Sequence, residues 1–150
     1  VKKLIIILAV LVVTSSCVYF YLNGREVKVI DVHLTPYSVV IIVNHLPLST
    51  STSIDWWLKN KSAIYSKYKI LPSDAGGPES ITFFAFGEGY QELGQEDRLC
   101  FADMKPPQNC IDKGILMQVS RTRDGDTQFR RHRNTYLMTQ DGKITEVSKD

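Results

Sequence analysis

The chain has 150 residues, with 18 basic and 16 acidic side chains giving a net charge of +2. That is enough for one domain with a sizeable core, and the charge singles out no particular partner. Three cysteines are too few for a scaffold built on disulfides.

The first segment decides the compartment. Lys2 and Lys3 precede a ten-residue apolar run, residues 4–13, with the make-up of a signal-peptide core. Three readings compete at Thr14-Ser15-Ser16-Cys17: cleavage after Ser16, lipidation of Cys17, or an uninterrupted membrane span. Thr14 stands where a lipoprotein signal carries an aliphatic residue, and Val18-Tyr19-Phe20-Tyr21-Leu22 follows in place of a polar tether. From Leu4 to Leu22 no residue is charged. At 1.5 Å per residue this stretch covers about 28 Å, close to the hydrocarbon core of a bilayer. Tyr19, Phe20 and Tyr21 would then lie at the headgroup level. The favoured reading is an uncleaved anchor over residues 1–25, in contact with the lipid bilayer through Leu4 to Leu22. Lys2 and Lys3 on one side and Arg25 and Lys28 on the other lean toward a cytoplasmic N-terminus. The expected place is the bacterial inner membrane, single-pass, with residues 26–150 as a periplasmic domain.

Beyond the anchor, "EVKVIDVHL" and "YSVVIIVNHL" are rich in Val and Ile and read as strands, with Thr35-Pro36 as the break. "LPLSTSTS" is a loop of capping residues, and residues 53–69 form the one convincing soluble helix, with Thr52 and Asp55 spaced as a capping box. On a wheel, Ile54, Trp57, Leu58, Ile64, Tyr65 and Tyr68 share one arc that should pack on a sheet, with Lys61 in its middle. Trp57 is a core residue in this reading. Trp56 falls on the opposite side, either packed under a loop or exposed as an anchor for a partner. "PSDAGGPES" is a loop, "ITFFAFG" a strand, and "EGYQELGQEDRLCFADM" ambiguous. "GILMQVSRTR" and "TQFRRHRNTYLMT" flank Asp124-Gly125 as a hairpin, and "QDGK" turns into "ITEVS". One helix and about six strands give an α+β domain with a mainly antiparallel sheet.

Cys100 and Cys110 enclose Pro106-Pro107, which favours a turn that would bring the thiols together. A disulfide closed by so short a loop suits an oxidising compartment such as the periplasm. Two buried free thiols are the alternative, and a metal site lacks a second Cys or His pair at ligand spacing. Charge is segregated. Asp74, Glu79, Glu88, Glu92, Glu96, Asp97 and Asp103 face only Arg98 in the middle segment, whereas Arg130, Arg131 and Arg133 crowd into "RRHR". The ordinary explanation of that cluster is a solvated strand face. The functional one is contact with anionic lipid or an acidic partner. Nucleic acid is not expected outside the cytoplasm.

No nucleophile elbow, H-E-x-x-H, phosphate loop or G-x-G-x-x-G occurs, and no catalytic residue, cofactor or metal is expected. His33 shares a strand face with Asp31, a pair that without a nucleophile is more often structural. Glu92 and Glu96 are a further carboxylate pair of the kind common on surfaces. An enzyme would need one of these pairs to sit in a cleft.

"IDWWLKNKSAIYSKYKI", "ITFFAFGEGYQ", "EDRLCFADM" and "NCIDKG" resemble the enterobacterial putative membrane protein family, domain of unknown function 943. The likeness runs from the N-terminal anchor to the last hairpin. It implies a small membrane-anchored envelope protein in which Asp55, Trp56, Trp57, Cys100 and Cys110 are pattern residues, and it implies no activity. The function expected from the whole reading is a non-enzymatic, membrane-anchored periplasmic binding protein. Trp56, Arg130, Arg131 and Arg133 are its candidate partner-binding residues and Cys100–Cys110 its disulfide. Immunity by capture of a toxin, or an accessory role on another membrane protein, are its two candidate forms.

Overall fold

The structure, a computed structural model, describes residues 1–147. Ser148, the last residue of the "ITEVS" segment, and the end of the 26–150 domain therefore lie outside the described residues.

Helix α1 (Lys2–Gly24) runs unbroken through Thr14-Ser15-Ser16-Cys17, and none of its residues is buried by protein. The Thr14 hydroxyl donates back to the Val10 carbonyl at 2.7 Å, which pairs one hydroxyl of the polar knot within the helix itself. The domain follows in the order β1 (Val29–Leu34), β2 (Ser38–Val43), α2 (Thr50–Tyr68), β3 (Ser80–Ala85), β4 (Arg98–Cys100), β5 (Cys110–Asp112), β6 (Ile115–Arg121), β7 (Thr127–Arg131), β8 (Asn134–Met138) and β9 (Ile144–Val147).

Seven strands form one sheet in the order β1-β2-β3-β6-β7-β8-β9, and β4 and β5 form a separate pair. All neighbours in the large sheet are antiparallel except β2 and β3, which are parallel. A parallel pair needs a crossover, and α2 supplies it. The strands of this unit are apolar on both sides because each side is covered. Val39, Ile41, Val43, Ile81, Phe83, Met117, Val119 and Phe129 pack under α2, while Ile42 and Phe84 meet Phe101 and Ile111 of the β4–β5 lobe.

Helix α2 starts earlier than the spacing of Thr52 and Asp55 suggests. Its N-cap is Ser49, whose hydroxyl accepts from the Thr52 N–H at 3.2 Å. It ends at Lys69 in the left-handed region, φ 54°, where the following Ile70 N–H reaches back to the Tyr65 carbonyl at 2.9 Å. The buried stripe is Ser53, Ile54, Trp57 and Ile64, rotated by roughly 40° from the arc drawn on apolar residues alone at 100° per residue. Ser53 causes the shift. Its hydroxyl donates to the Pro47 and Ser49 carbonyls, each at 3.0 Å, so a polar residue belongs inside. The rotation leaves Leu58 exposed. It also brings Trp56 from the far side to the flank, half-buried with its ring at 6.1 Å from Phe83. Lys61 snorkels, its ammonium 5.4 Å from the centre of the Tyr65 ring.

The hairpin at Asp124-Gly125 and the turn at Gly142 form as expected. "TQFRRHRNTYLMT" is two strands rather than one: β7 and β8 pair Arg131 with Asn134 across His132-Arg133. His132 takes φ 53°, a left-handed conformation that hairpin turns usually give to Gly or Asn.

Trp57 is 1% exposed and packs edge-on against Phe83 at 5.2 Å. Trp57→Ala is expected to cost about 3–5 kcal/mol, as truncation of a fully enclosed ring. Trp56→Ala should cost clearly less, because one side of its indole is already wet. Urea unfolding of the two variants in detergent checks the order, and equal losses would contradict it.

Candidate functional site

Three polar arrangements stand out against this fold, each at a different part of the domain.

The first joins β1 to the β4–β5 lobe. His33 is 4% exposed and lies flat on Phe101, ring centres 3.7 Å apart and planes 11° apart. Its Nδ1 meets the two Asp103 oxygens at 2.9 and 2.8 Å, and its Nε2 meets the Tyr90 hydroxyl at 2.8 Å. The Tyr90 hydroxyl in turn donates to Asp31 Oδ2 at 2.6 Å. A phenol has one proton, and Tyr90 spends it on Asp31. Burial, the hydrogen bond to Asp31 and the charges of Asp31 and Asp103 all push the Tyr90 hydroxyl above the usual tyrosine range. Asp103 sits inside the loop closed by Cys100 and Cys110, which are direct partners across β4 and β5 with an S–S distance of 2.08 Å. Arg98 completes the lobe, with Nε on Asp112 at 2.9 Å and Nη2 on Gln91 at 3.0 Å. Asp112 is held below the usual carboxylate range by the hydrogen bonds from Arg98 and Gln91. No serine, threonine or cysteine side chain bonds to His33 among the described residues, so the chain of proton-carrying groups ends on carboxylates and ties the lobe to the sheet.

The second lies where α1 meets the domain. Asn23, in the last turn of α1, donates to Thr52 Oγ1 at 3.1 Å and accepts from the Ser49 N–H at 3.0 Å. Asn44 holds the following linker: its side chain accepts from the Lys28 N–H at 2.8 Å and donates to the Glu26 carbonyl at 3.2 Å. Arg131, 7% exposed, reaches the same place from β7. Its Nη1 donates to the Pro47 carbonyl at 2.7 Å, to the Ser49 carbonyl at 3.2 Å and to Ser53 Oγ. Burial lowers its pKa.

The third is an open groove of about 680 Å³ at the other end of α2, between its C-terminal half, the loop before β3, and the ends of β6 and β7. Lys61, Tyr65, Ser73, Glu79, Arg121 and Thr127 are among its lining residues. Burial raises the Tyr65 hydroxyl above its usual range. Arg121 Nη1 reaches Ser73 Oγ at 3.4 Å across the groove.

An apolar α1 with no protein around it, joined to an α+β domain through a fixed junction, is the architecture of a membrane-attached protein, and residues 1–148 match the family described as enterobacterial putative membrane protein (DUF943). The chain belongs to this family. No curated protein and no solved structure matches it. Membership makes α1, long and apolar enough to cross a bilayer, the candidate span of this family member.

In this DUF943 protein the residues singled out by sequence separate. Cys100 and Cys110 are bonded to each other, and Cys17 is free and exposed on α1. Arg130 and Arg133 are exposed, on the last residue but one of β7 and in the turn after it. Arg131 is not with them: strand alternation turns it to the α2 side, where Nη1 donates to two carbonyls and the Ser53 hydroxyl while the buried Nε has no partner, so it is a structural residue and not a surface contact. Trp56, read as a possible exposed anchor, is half-buried on Phe83. Asp31 and His33 do come together, at 3.6 Å, but through Tyr90, which no sequence spacing pointed to. Glu92 and Glu96 are exposed, and Glu92 serves through its carbonyl, which accepts from Arg98 at 2.9 Å. Among the described residues no group of three or more His, Cys, Asp or Glu is placed to hold a metal ion.

The raised Tyr90 hydroxyl makes a pH prediction. The folded chain holds this proton more tightly than the unfolded chain, whose tyrosines titrate near 10.0. Its contribution to stability is therefore complete below that value and is lost as pH rises above it toward the folded value. Tyr90→Phe should be less stable at neutral pH by about 1–3 kcal/mol, since His33 loses a buried partner. It should also lose less stability than the parent between about pH 9 and pH 11. Parallel slopes in denaturant titrations at these pH values would refute the assignment.

Proposed function

We propose that this protein is a single-pass inner-membrane protein whose α+β domain faces the periplasm and acts by binding a protein partner, without catalysis. The observation that carries this reading is the groove, which opens at the end of α2 opposite to the end that holds Asn23. A partner arriving from the aqueous side meets that end first. The groove mixes two cations, Lys61 and Arg121, and two carboxylates, Asp74 and Glu79, with hydroxyls and a tyrosine, groups that suit contact with a folded polypeptide. The periplasmic orientation is supported by the Cys100–Cys110 bond, which an oxidising compartment maintains, and by Lys2 and Lys3 ahead of the span. The non-catalytic reading is supported by the closed character of the Asp103–His33–Tyr90–Asp31 chain, whose members spend their hydrogen bonds on one another.

Two forms of the function fit a small anchored domain of this kind. In one, it is an immunity protein that captures a toxin at the outer face of the inner membrane. In the other, it is an accessory protein that holds another envelope protein. A pull-down from cells with the full-length chain, in parallel with a toxin-protection assay, separates them. Immunity requires that cells without the protein be more sensitive to a toxin that the chain retains; the accessory role requires an envelope protein among the retained ones. In either form, Lys61→Glu with Arg121→Glu should reduce capture at least about tenfold while leaving thermal unfolding unchanged. Undiminished capture would remove the groove from the interface.

The orientation has its own test. Thiol labelling of the unreduced, unfolded full-length chain taken from cells should modify Cys17 alone. Reaction at Cys100 and Cys110 would place the domain in a reducing compartment. Reduction should lower stability by roughly 2–3 kcal/mol, the chain-entropy value for so short a loop.

A further inference from the structure

The end of the domain beside α1 carries a feature the binding reading does not use. Arg131 grips the carbonyls on both sides of Leu48, those of Pro47 and Ser49. The loop is therefore fixed from within, and the Leu48 side chain points outward, 48% exposed. Ser49, the next residue, is hydrogen-bonded to Asn23, one residue beyond the apolar stretch that closes at Leu22. Consecutive Cα atoms are 3.8 Å apart, and the headgroup layer of one leaflet is about 5–8 Å thick. A helix embedded up to Leu22 thus leaves Leu48 no deeper route into water than the headgroup layer itself.

The charges around it have one prevailing sign. Strand β7 runs toward this end, and its turn to β8 carries exposed Arg133 and His132 just past Arg131, with exposed Arg130 just before it. Arg25 and Lys28 stand exposed in the linker, where Glu26 is the single carboxylate, 3.9 Å from Lys28. Tyr19, Phe20 and Tyr21 are exposed on the last turns of α1. An exposed apolar side chain, with cations in the adjacent linker and at the end of β7 and its turn, beside an aromatic helix end, is the composition of a surface that rests on anionic lipid.

We infer that this end of the domain docks on anionic phospholipid headgroups, with Leu48 inserted among them and Arg25, Lys28, Arg130 and Arg133 on the phosphates. The inference rests on the reading of α1 as a membrane span. Because Asn23 and Asn44 pin the linker on both sides, the contact holds the domain in one pose above the bilayer, with the groove turned away.

The test uses the full-length chain carrying Cys17→Ser and Leu48→Cys, labelled with a nitroxide and placed in vesicles of phosphatidylcholine alone or mixed with phosphatidylglycerol. Collision with oxygen and with a water-soluble nickel chelate reports depth. In the mixed vesicles the label should be shielded from nickel roughly tenfold more than in phosphatidylcholine. Adding Arg130→Glu and Arg133→Glu should abolish the difference, and a label at Asp141→Cys on the far hairpin should stay fully open to nickel in both. A label at residue 48 that is equally wet in the two lipids, or unaffected by the charge reversals, overturns the docking. Release of the chain by an alkaline wash overturns the span and the docking with it, whereas retention with a wet label overturns the docking alone.

Discussion

The domain depends on one buried cation. Arg131 lies under α2 with no ion-pair partner among the described residues, near the helix N-terminus, where the helix dipole already disfavours positive charge. An unpaired buried charge is among the most costly features a fold can hold. Here Nη1 alone has three acceptors, two loop carbonyls and the Ser53 hydroxyl. The same carbonyls belong to the loop that caps α2 and receives Asn23 from α1. Removing the guanidinium would therefore release three things together: the loop 47–49, the entry of α2, and the seat of α1 on the domain. The pairing is reciprocal. Buried carbonyls need donors as much as the cation needs acceptors, and neither half is stable without the other.

The opposite face of the sheet uses a second device for a similar purpose. The β4–β5 lobe is a pair of three-residue strands, too small to hold its shape alone. The disulfide closes it, Phe101 and Ile111 bury its apolar side on Ile42 and Phe84, and Asp103 takes hold of His33 on β1. The stacking of His33 on Phe101 places the imidazole so that Asp103 and Tyr90 meet it edge-on from opposite ends. The sheet is thus clamped on one face by a helix latched with a cation and on the other by a lobe latched with a histidine.

Sequence patterning reached the parts of this fold that local chemistry dictates. The apolar N-terminal helix, the strands rich in Val and Ile, the Asp124-Gly125 and Gly142 turns, the long helix α2 and the Cys100–Cys110 bond each announce themselves through composition or spacing. What it missed was decided at a distance. The parallel pairing of β2 and β3 follows from where α2 packs, which periodicity does not reveal. The break at His132-Arg133 contains no Gly, Pro or Asp, and is imposed by the pairing of β7 with β8. Ser53 lies outside any arc drawn on apolar residues, yet it is buried because Pro47, Ser49 and Arg131 meet its hydroxyl. Arg131 was read with its neighbours as surface charge, although strand alternation alone places it opposite to Arg130. The one signal available in advance was that a run such as Phe129-Arg130-Arg131 cannot keep both arginines on the wet side of a strand. Of the site around His33, the Asp31 pairing was legible from spacing of two along a strand; Tyr90 and Asp103, far away in sequence, were not.

These latches give the two ends of the domain different freedoms, and this is what ties the fold to its proposed role. Every connection to α1 is doubled: Asn23 bonds twice, Asn44 holds the linker, and Arg131 braces the loop they share. The far end has the long loop before β3, an open groove, and Arg121, whose Nη1 reaches Ser73 at 3.4 Å and whose backbone N–H donates to the Glu79 carbonyl at 3.1 Å. Between them runs α2, about 28 Å long for its 19 residues. In the proposed topology, a flexible tether would let the groove sample every orientation above the bilayer, including ones pressed against lipid. A braced junction removes those orientations before a partner arrives, so less rotational freedom is left to lose on binding. The stability invested in Arg131 and Asn23 would then serve affinity at a surface neither residue touches.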